Sequence, residues 1–237
     1  MYKTNAQKKI KREHFDCIAS TNDYAKSKRT EGQDLIVTAS RQTGGRGTKG
    51  RSFSSDVGGA YLTKLTFYED FPAARAFEIM ASAAVAVCKT LEFYGLKPVI
   101  KWANDVFVND KKISGILIEN TFSGNLVSSS TVGIGLNVVN PLPQELSEIA
   151  TSMRLETGKL FSVDEVRERL IEELCASHTM EEYLARVGYM GREVTLLLGE
   201  RQVRATLLFV DETGGLHAQT DGKEERFSAA EVSLRLE

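Results

Sequence analysis

Residues 101–120 read KWANDVFVNDKKISGILIEN, from Lys101 to Asn120. Apolar positions alternate with polar ones on either side of a turn, which predicts a β-hairpin with strands at 105–109 and 113–119. The stretch also holds three lysines, three acidic residues and the chain's single tryptophan. A hairpin does not need Lys101, Asp105 and Lys112 near its ends, so these charges ask for a task other than folding.

Upstream of the hairpin, 98–102 predicts a strand. Residues 73–94 place Phe77, Met80, Ala84, Val87, Cys88 and Leu91 at three- and four-residue spacing, an amphipathic helix closed by Gly95. Earlier still, DLIVTA at 34–39 reads as a buried strand and AYLTKLTFY at 60–68 as another. Downstream, LVSSSTVGIGLNVV at 126–139 predicts a further strand. Ser162 and Glu165 have the spacing of a capping box, opening a helix that buries Val166, Leu170, Ile171 and Leu174. A second helical piece covers 179–187. Beyond Gly188 the pattern becomes five short β segments separated by Gly and Asp turns, which suggests a small barrel. We therefore expect an α+β (mixed α/β) chain with a largely antiparallel sheet, divided into a main domain at 1–187 and a small β domain at 188–237.

The 237 residues suffice for a substantial core, and 42% hydrophobic with 26% charged residues is ordinary for a water-soluble globular chain. No apolar run has the ~18–20 residues of a membrane span. The first twelve residues are basic and lack an apolar h-region, so they do not read as a secretory signal. Cys17, Cys88 and Cys175 are odd in number and far apart, which implies reduced thiols and a cytoplasmic setting, with no disulfide frame or structural zinc. His14, His178 and His217 lack companions at metal-ligand spacing. A net charge of −2 argues against a dedicated nucleic-acid binder. One basic cluster, Lys3, Lys8, Lys9, Lys11 and Arg12, reads as a solvated tail.

A second basic cluster lies in RQTGGRGTKGRSFSS, Arg41 to Ser55. Repeated glycines let backbone N–H groups turn inward, and the arginines and lysine add charge, a composition suited to holding a phosphate or carboxylate. The spacing approaches that of a P-loop. A P-loop must feed a helix, however, and this segment runs into SSDVGGAYLTKL, a loop and then a strand.

Five motifs now stand in order: STN at 20–22, GRGTKGR at 45–51, KWAND at 101–105, KKISGILIE at 111–119 and GIGLNV at 133–138. Together they resemble the biotin protein ligases, from about residue 14 to the end of the chain. The resemblance implies a catalytic domain similar to class II aminoacyl-tRNA synthetases and an SH3-like C-terminal barrel. It also implies two half-reactions: biotin and MgATP give biotinyl-5′-AMP and pyrophosphate, and a lysine of a biotin carboxyl carrier domain then takes the biotinyl group.

That chemistry explains the cations. A carboxylate meeting a polyphosphate repels it by about 4 kcal/mol at ~4 Å and an effective dielectric of 20. The resemblance assigns Lys112, Arg46, Lys101 and Asp105 to catalysis, with Lys112 touching both biotin's carboxylate end and the adenylate. Asp105 would orient the acceptor lysine or take its proton. Biotin would be held by Ser20, Thr21, Asn22 and Gln42, with Gly45 and Gly115 allowing close backbone approach and Arg46 and Lys112 at the carboxylate. Arg46, Lys49, Arg51, Phe53, Asn104, Lys112 and Asn137 would hold the nucleotide, Phe53 standing where the family often has a stacking tryptophan. Magnesium would come with ATP and no dedicated metal site is expected.

Two positions depart from the family. Thr48 stands where the best-known loop has an arginine that helps keep the adenylate in place, with Lys49 beside it as a partial substitute. Ala103 replaces the usual proline. With STN beginning at residue 20, no N-terminal helix-turn-helix domain is expected, hence no operator binding. The family includes monomers and homodimers, and both stay open. The nearest alternative is a lipoate or octanoate ligase of similar fold, against which the pairing of KWAND with GRGxxGR speaks. A non-catalytic sensor or nucleic-acid binder is a second alternative, disfavoured by the near-neutral charge.

Overall fold

The computed structural model describes residues 10–199, 201–229 and 232–236. Lys3, Lys8 and Lys9 of the basic N-terminal cluster lie outside them. Lys11 and Arg12 do not belong to a tail. They open β1 (Lys11–Phe15), which pairs parallel with β2 (Leu35–Ala39). KREHF carries no apolar alternation because β1 is an edge strand with mostly solvated side chains.

Between them runs α1 (Thr21–Ser27), capped by Ser20, whose hydroxyl accepts from Asp23 N. The chain continues through β3 (Ala60–Phe67), α2 (Phe77–Phe93), β4 (Val99–Lys101), β5 (Asp105–Val108), β6 (Lys111–Ser123) and β7 (Leu126–Leu136). These strands form one seven-stranded sheet in the order β1-β2-β3-β7-β6-β5-β4. Every pairing after the first is antiparallel. The predicted hairpin is thus β5–β6, extended by β4 on one side and β7 on the other.

Period-two alternation gives the sheet two different faces. Ile36, Leu62, Ile116, Val132 and Ile134 belong to the main core with α2 and with α4 (Val163–Cys175). Leu35, Val37 and Leu65 point the other way and join Ala25 of α1 in a smaller cluster. α2 is buried nearly all round, and its alanines (Ala81, Ala83, Ala84, Ala86) let it lie deep in the core. α4 buries the four residues expected of it. At its start Ser162 accepts from Glu165 N, which is one half of the expected box; the reciprocal capping box forms instead at Thr179 and Glu182, opening α5 (Met180–Leu184). A short α3 (Met153–Thr157), capped by Ser152, was too brief to stand out as a period.

The chain ends in β8 (Glu193–Leu198), β9 (Arg201–Val210), β10 (Leu216–Thr220), β11 (Lys223–Phe227) and β12 (Ser233–Leu236), an antiparallel sheet in the order β11-β10-β9-β8-β12. Val194, Leu196, Leu207 and Leu216 share one hydrophobic core with α2 and the large sheet. Buried Trp102 donates its Nε1–H to Gly214 O at 3.0 Å, and the Phe77 ring lies so close to Gly214, whose φ is +84°, that an added Cβ would sit 2.2 Å from it. The hairpin's tryptophan therefore fastens the small sheet to the large one. Among the described residues no helix is long and apolar enough to cross a membrane.

Candidate active site

On the face of the sheet shared with α1, the side chains of the central strands become small or polar. Gly115 pairs with Gly135 across β6 and β7, and Thr63 pairs with Gly133 across β3 and β7. A cavity of about 760 Å³ opens over this floor. Its walls are α1, the 42–54 loop, the β4–β5 turn, the 142–150 segment, and Arg192, Leu197 and Leu234 from the C-terminal region. Of the residues singled out in the sequence, Ser20, Thr21, Asn22, Gln42, Arg46, Arg51, Phe53, Lys101, Asn104, Asp105, Lys112, Gly115 and Asn137 all line it.

One end of the cavity is a buried polar network. Gln42 Oε1 accepts from Thr21 N at 2.8 Å and from Thr21 Oγ1 at 3.0 Å, and Gln42 Nε2 donates to Ser55 Oγ at 3.0 Å. The Thr63 hydroxyl lies 2.8 Å from Thr21 Oγ1 and 2.6 Å from Asn22 Oδ1. Asn22 Nδ2 donates to Glu119 Oε2 at 3.1 Å. A Cβ at Gly133 would sit 2.0 Å from Asn22 Oδ1, so glycine is what seats this amide. Such a pocket orients a ligand rich in amide-like groups.

The lining also carries cations. Lys112 Nζ lies 2.7 Å from Asp105 Oδ1, an ion contact without hydrogen-bond alignment, and 5.9 Å from the centre of the Phe53 ring. Lys101 Nζ stands 5.0 Å over the Phe107 ring. Arg46 crosses from the loop to Asp23, and also stands 3.6 Å from Glu119. Burial pushes the Glu119 carboxyl up, but hydrogen bonds from Lys26 and Asn22 and the charges of Lys26 and Arg46 outweigh it and hold the carboxyl below its usual range. Phe53 lies on the glycine floor, since a Cβ at Gly135 would come 2.4 Å from its ring and one at Gly115 3.2 Å.

Other predicted residues are placed differently. Gly45 is outside the lining and packs beneath the loop, where a Cβ would meet Phe53 O at 2.4 Å. Lys49 is exposed at the loop's tip with φ of +56°, away from the cavity wall. Arg51 Nη2 donates to Thr48 Oγ1 at 2.8 Å, so Thr48 is part of the loop's own brace. Asn137 lines the cavity, but its amide is already engaged: Nδ2 donates to Thr151 O at 3.0 Å and Oδ1 accepts from Asn140 Nδ2 at 3.1 Å. Asn104 donates Nδ2 to Ile116 O at 2.9 Å, tying the β4–β5 turn to β6.

Gly133, Gly135, Thr63, Glu119 and the 142–150 segment escaped the reading of the residues for roles. The two glycines had a legible signal: Gly-x-Gly within a strand puts both on one face, a mark of close approach.

A family model described as the biotin/lipoate A/B protein ligase family matches residues 14–137, more than half of the chain. The chain belongs to that family. A second model, the biotin protein ligase C-terminal domain, matches residues 189–235. The bifunctional ligase/repressor BirA of Bacillus subtilis is 29% identical over 241 residues, covering 93% of this chain and 73% of that protein. The biotin–[acetyl-CoA-carboxylase] ligase of Paracoccus denitrificans is 27% identical, covering 83% and 88%. Among solved structures, the biotin protein ligase from Aquifex aeolicus in complex with biotin and ATP superposes with a TM-score of 0.74 at 27% identity, covering 95% of this chain and 98% of that one. The chain thus has the biotin protein ligase fold, a mixed sheet with a separate small antiparallel sheet.

Proposed function

We propose that this chain is a biotin protein ligase that joins biotin to ATP as biotinyl-5′-AMP, then transfers the biotinyl group to a lysine of a biotin carboxyl carrier domain. The observation that carries the reading is one cavity lined both by the amide-binding network of Thr21, Asn22 and Gln42 and by the cations Arg46, Lys101 and Lys112. The match to a biotin ligase C-terminal domain favours biotin over lipoate as the acid.

In this reading Ser20, Thr21, Asn22 and Gln42 hold the ureido ring, and Gly115 and Gly45 let backbone and loop close on the ligand. Lys112 and Arg46 draw the biotin carboxylate to the α-phosphorus, offsetting a repulsion of about 4 kcal/mol at ~4 Å. A carboxylate oxygen bonds to phosphorus, and the bond to the β-phosphate oxygen breaks. Pyrophosphate leaves with its Mg²⁺ toward Lys101, Arg51 and Lys49, the last reaching inward when the loop closes. Phe53 faces the base, while Asn104 and Asn137 shape that end through the backbone they hold. In the second step the acceptor amine attacks the acyl carbon, AMP departs with the electrons of the acyl–oxygen bond, and Asp105 takes the amine's proton. With three free thiols, the protein suits a reducing cytoplasm.

Isotope exchange between ATP and pyrophosphate tests the first step. Exchange driven by biotin supports the reading, and exchange driven by lipoate but not biotin overturns it.

A further inference from the structure

Glu119 does not line the cavity, yet Asn22 and Arg46 of the site, with Lys26 behind them, converge on its carboxylate. Oε2 accepts from Asn22 Nδ2 at 3.1 Å, Oε1 accepts from Lys26 Nζ at 2.7 Å, and Arg46 stands 3.6 Å away. The carboxyl sits below the usual carboxylate range, so it is ionised at neutral pH. An ionised carboxylate accepts and cannot donate. Asn22 must therefore turn its Nδ2 to Glu119 and its oxygen to Thr63, 2.6 Å away. That oxygen also only accepts, so Thr63 gives its one hydroxyl proton to Asn22 and offers lone pairs to Thr21 Oγ1 at 2.8 Å. The Thr21 proton is left with acceptors on both sides, Thr63 and Gln42 Oε1. Thr63 is 0% and Asn22 5% exposed, so bulk water cannot reverse the order. Asn22 Nδ2 and Gln42 Nε2 each keep one N–H beyond these bonds. The floor so arranged offers donors, the complement of a urea carbonyl oxygen.

We infer that Glu119 is a positioning residue that fixes the donor–acceptor sense of Asn22 in the ureido pocket, selecting the carbonyl of biotin over groups that donate. The inference rests on the proposed biotin-ligase function. Replacing Glu119 by glutamine keeps the shape but supplies an amide that can either donate or accept. Asn22 is then free to turn over, while Gln42 keeps its sense through the Thr21 N–H. Glu119→Met, apolar and of similar length, removes the carboxylate altogether and frees Asn22 in the same way.

The test compares biotin with 2-iminobiotin, which carries N–H donors in place of the carbonyl oxygen, in pyrophosphate exchange by the full-length protein. E119Q is expected to raise KM for biotin about tenfold, with kcat changed less than about threefold. The kcat/KM preference for biotin over the imino analogue is expected to narrow about tenfold, equivalent to about 1.4 kcal/mol. Glu119→Met is expected to narrow it comparably, and it carries the test alone if E119Q does not fold. A purely structural defect weakens both ligands equally. An unchanged preference in the variants, with an active wild type, overturns this inference alone. Failure of biotin to drive exchange in the wild type overturns the reading beneath it.

Discussion

Lys112 Nζ lies 2.7 Å from Asp105 Oδ1, and the two residues come from opposite strands of the hairpin that begins with KWAND. The Asp105 side chain is only 13% exposed, so each charge neutralises the other in a partly dry site. An arriving carboxylate competes with Asp105 for the lysine. In the proposed mechanism, Lys112 turning to the ligand releases Asp105 to meet the amine, so the pair would link the acid of the first half-reaction to the base of the second.

Removing Lys112 has two costs in this account: one cation is lost, and Asp105 is left to repel biotin's carboxylate. Lys112→Ala is expected to slow biotin-dependent pyrophosphate exchange by about 10²–10³. Adding Asp105→Asn should recover part of the biotin affinity without restoring transfer to the acceptor. Calorimetric titration with biotin and single-turnover transfer separate these effects.

Gly133 is a steric requirement for the pocket, because a Cβ there would sit 2.0 Å from Asn22 Oδ1. Overpacking of this kind costs about 1–3 kcal/mol. Gly133→Ala is therefore expected to weaken biotin roughly 5- to 150-fold while the circular dichroism stays that of the parent.

Asn137, expected near the nucleotide, lines the cavity with its amide bonded to Thr151 O and Asn140 Nδ2. Asn137→Ala leaves buried partners unpaired, at about 1–3 kcal/mol for each. Urea denaturation should show that loss, and it should exceed the direct effect on ATP affinity.

Trp102 joins the two sheets through Gly214 O. Trp102→Phe keeps most of the apolar contact and drops the hydrogen bond, a loss of about 1–3 kcal/mol including the orphaned carbonyl. Limited proteolysis should then cut faster near 188–192, the segment leading into β8.

Acid should destabilise the protein below the ordinary glutamate range. The Glu119 carboxyl has its folded pKa lowered from 4.5, where burial is outweighed by Lys26, Asn22 and Arg46. A carboxylate of this kind contributes stability that is present above its unfolded pKa and lost as pH falls through the folded one. Urea midpoints measured from pH 6 downward should fall below about pH 4.5, and E119Q should show a shallower fall.

Much of this architecture was legible in the residues. The hairpin at 101–120, the strands around it, α2 and α4 with its buried residues, and the five C-terminal strands follow from period and turn chemistry. β1 was not legible, because KREHF is an edge strand whose pairing comes from β2 and not from its own pattern. Most of the residues drawn from the motifs line one cavity. What they could not give was occupancy of hydrogen-bonding groups: that Asn137 is spent on its own loop, or that Glu119 orders Asn22 from behind, depends on contacts between positions far apart in the chain.

The most direct measurement is the mass spectrum of a biotin carboxyl carrier domain incubated with biotin, MgATP and this protein, wild type beside Lys112→Ala. The account predicts one biotinyl group on one lysine with the wild-type protein and little or none with the variant over the same time. An unmodified carrier with the wild type, or equal modification by the variant, would contradict it.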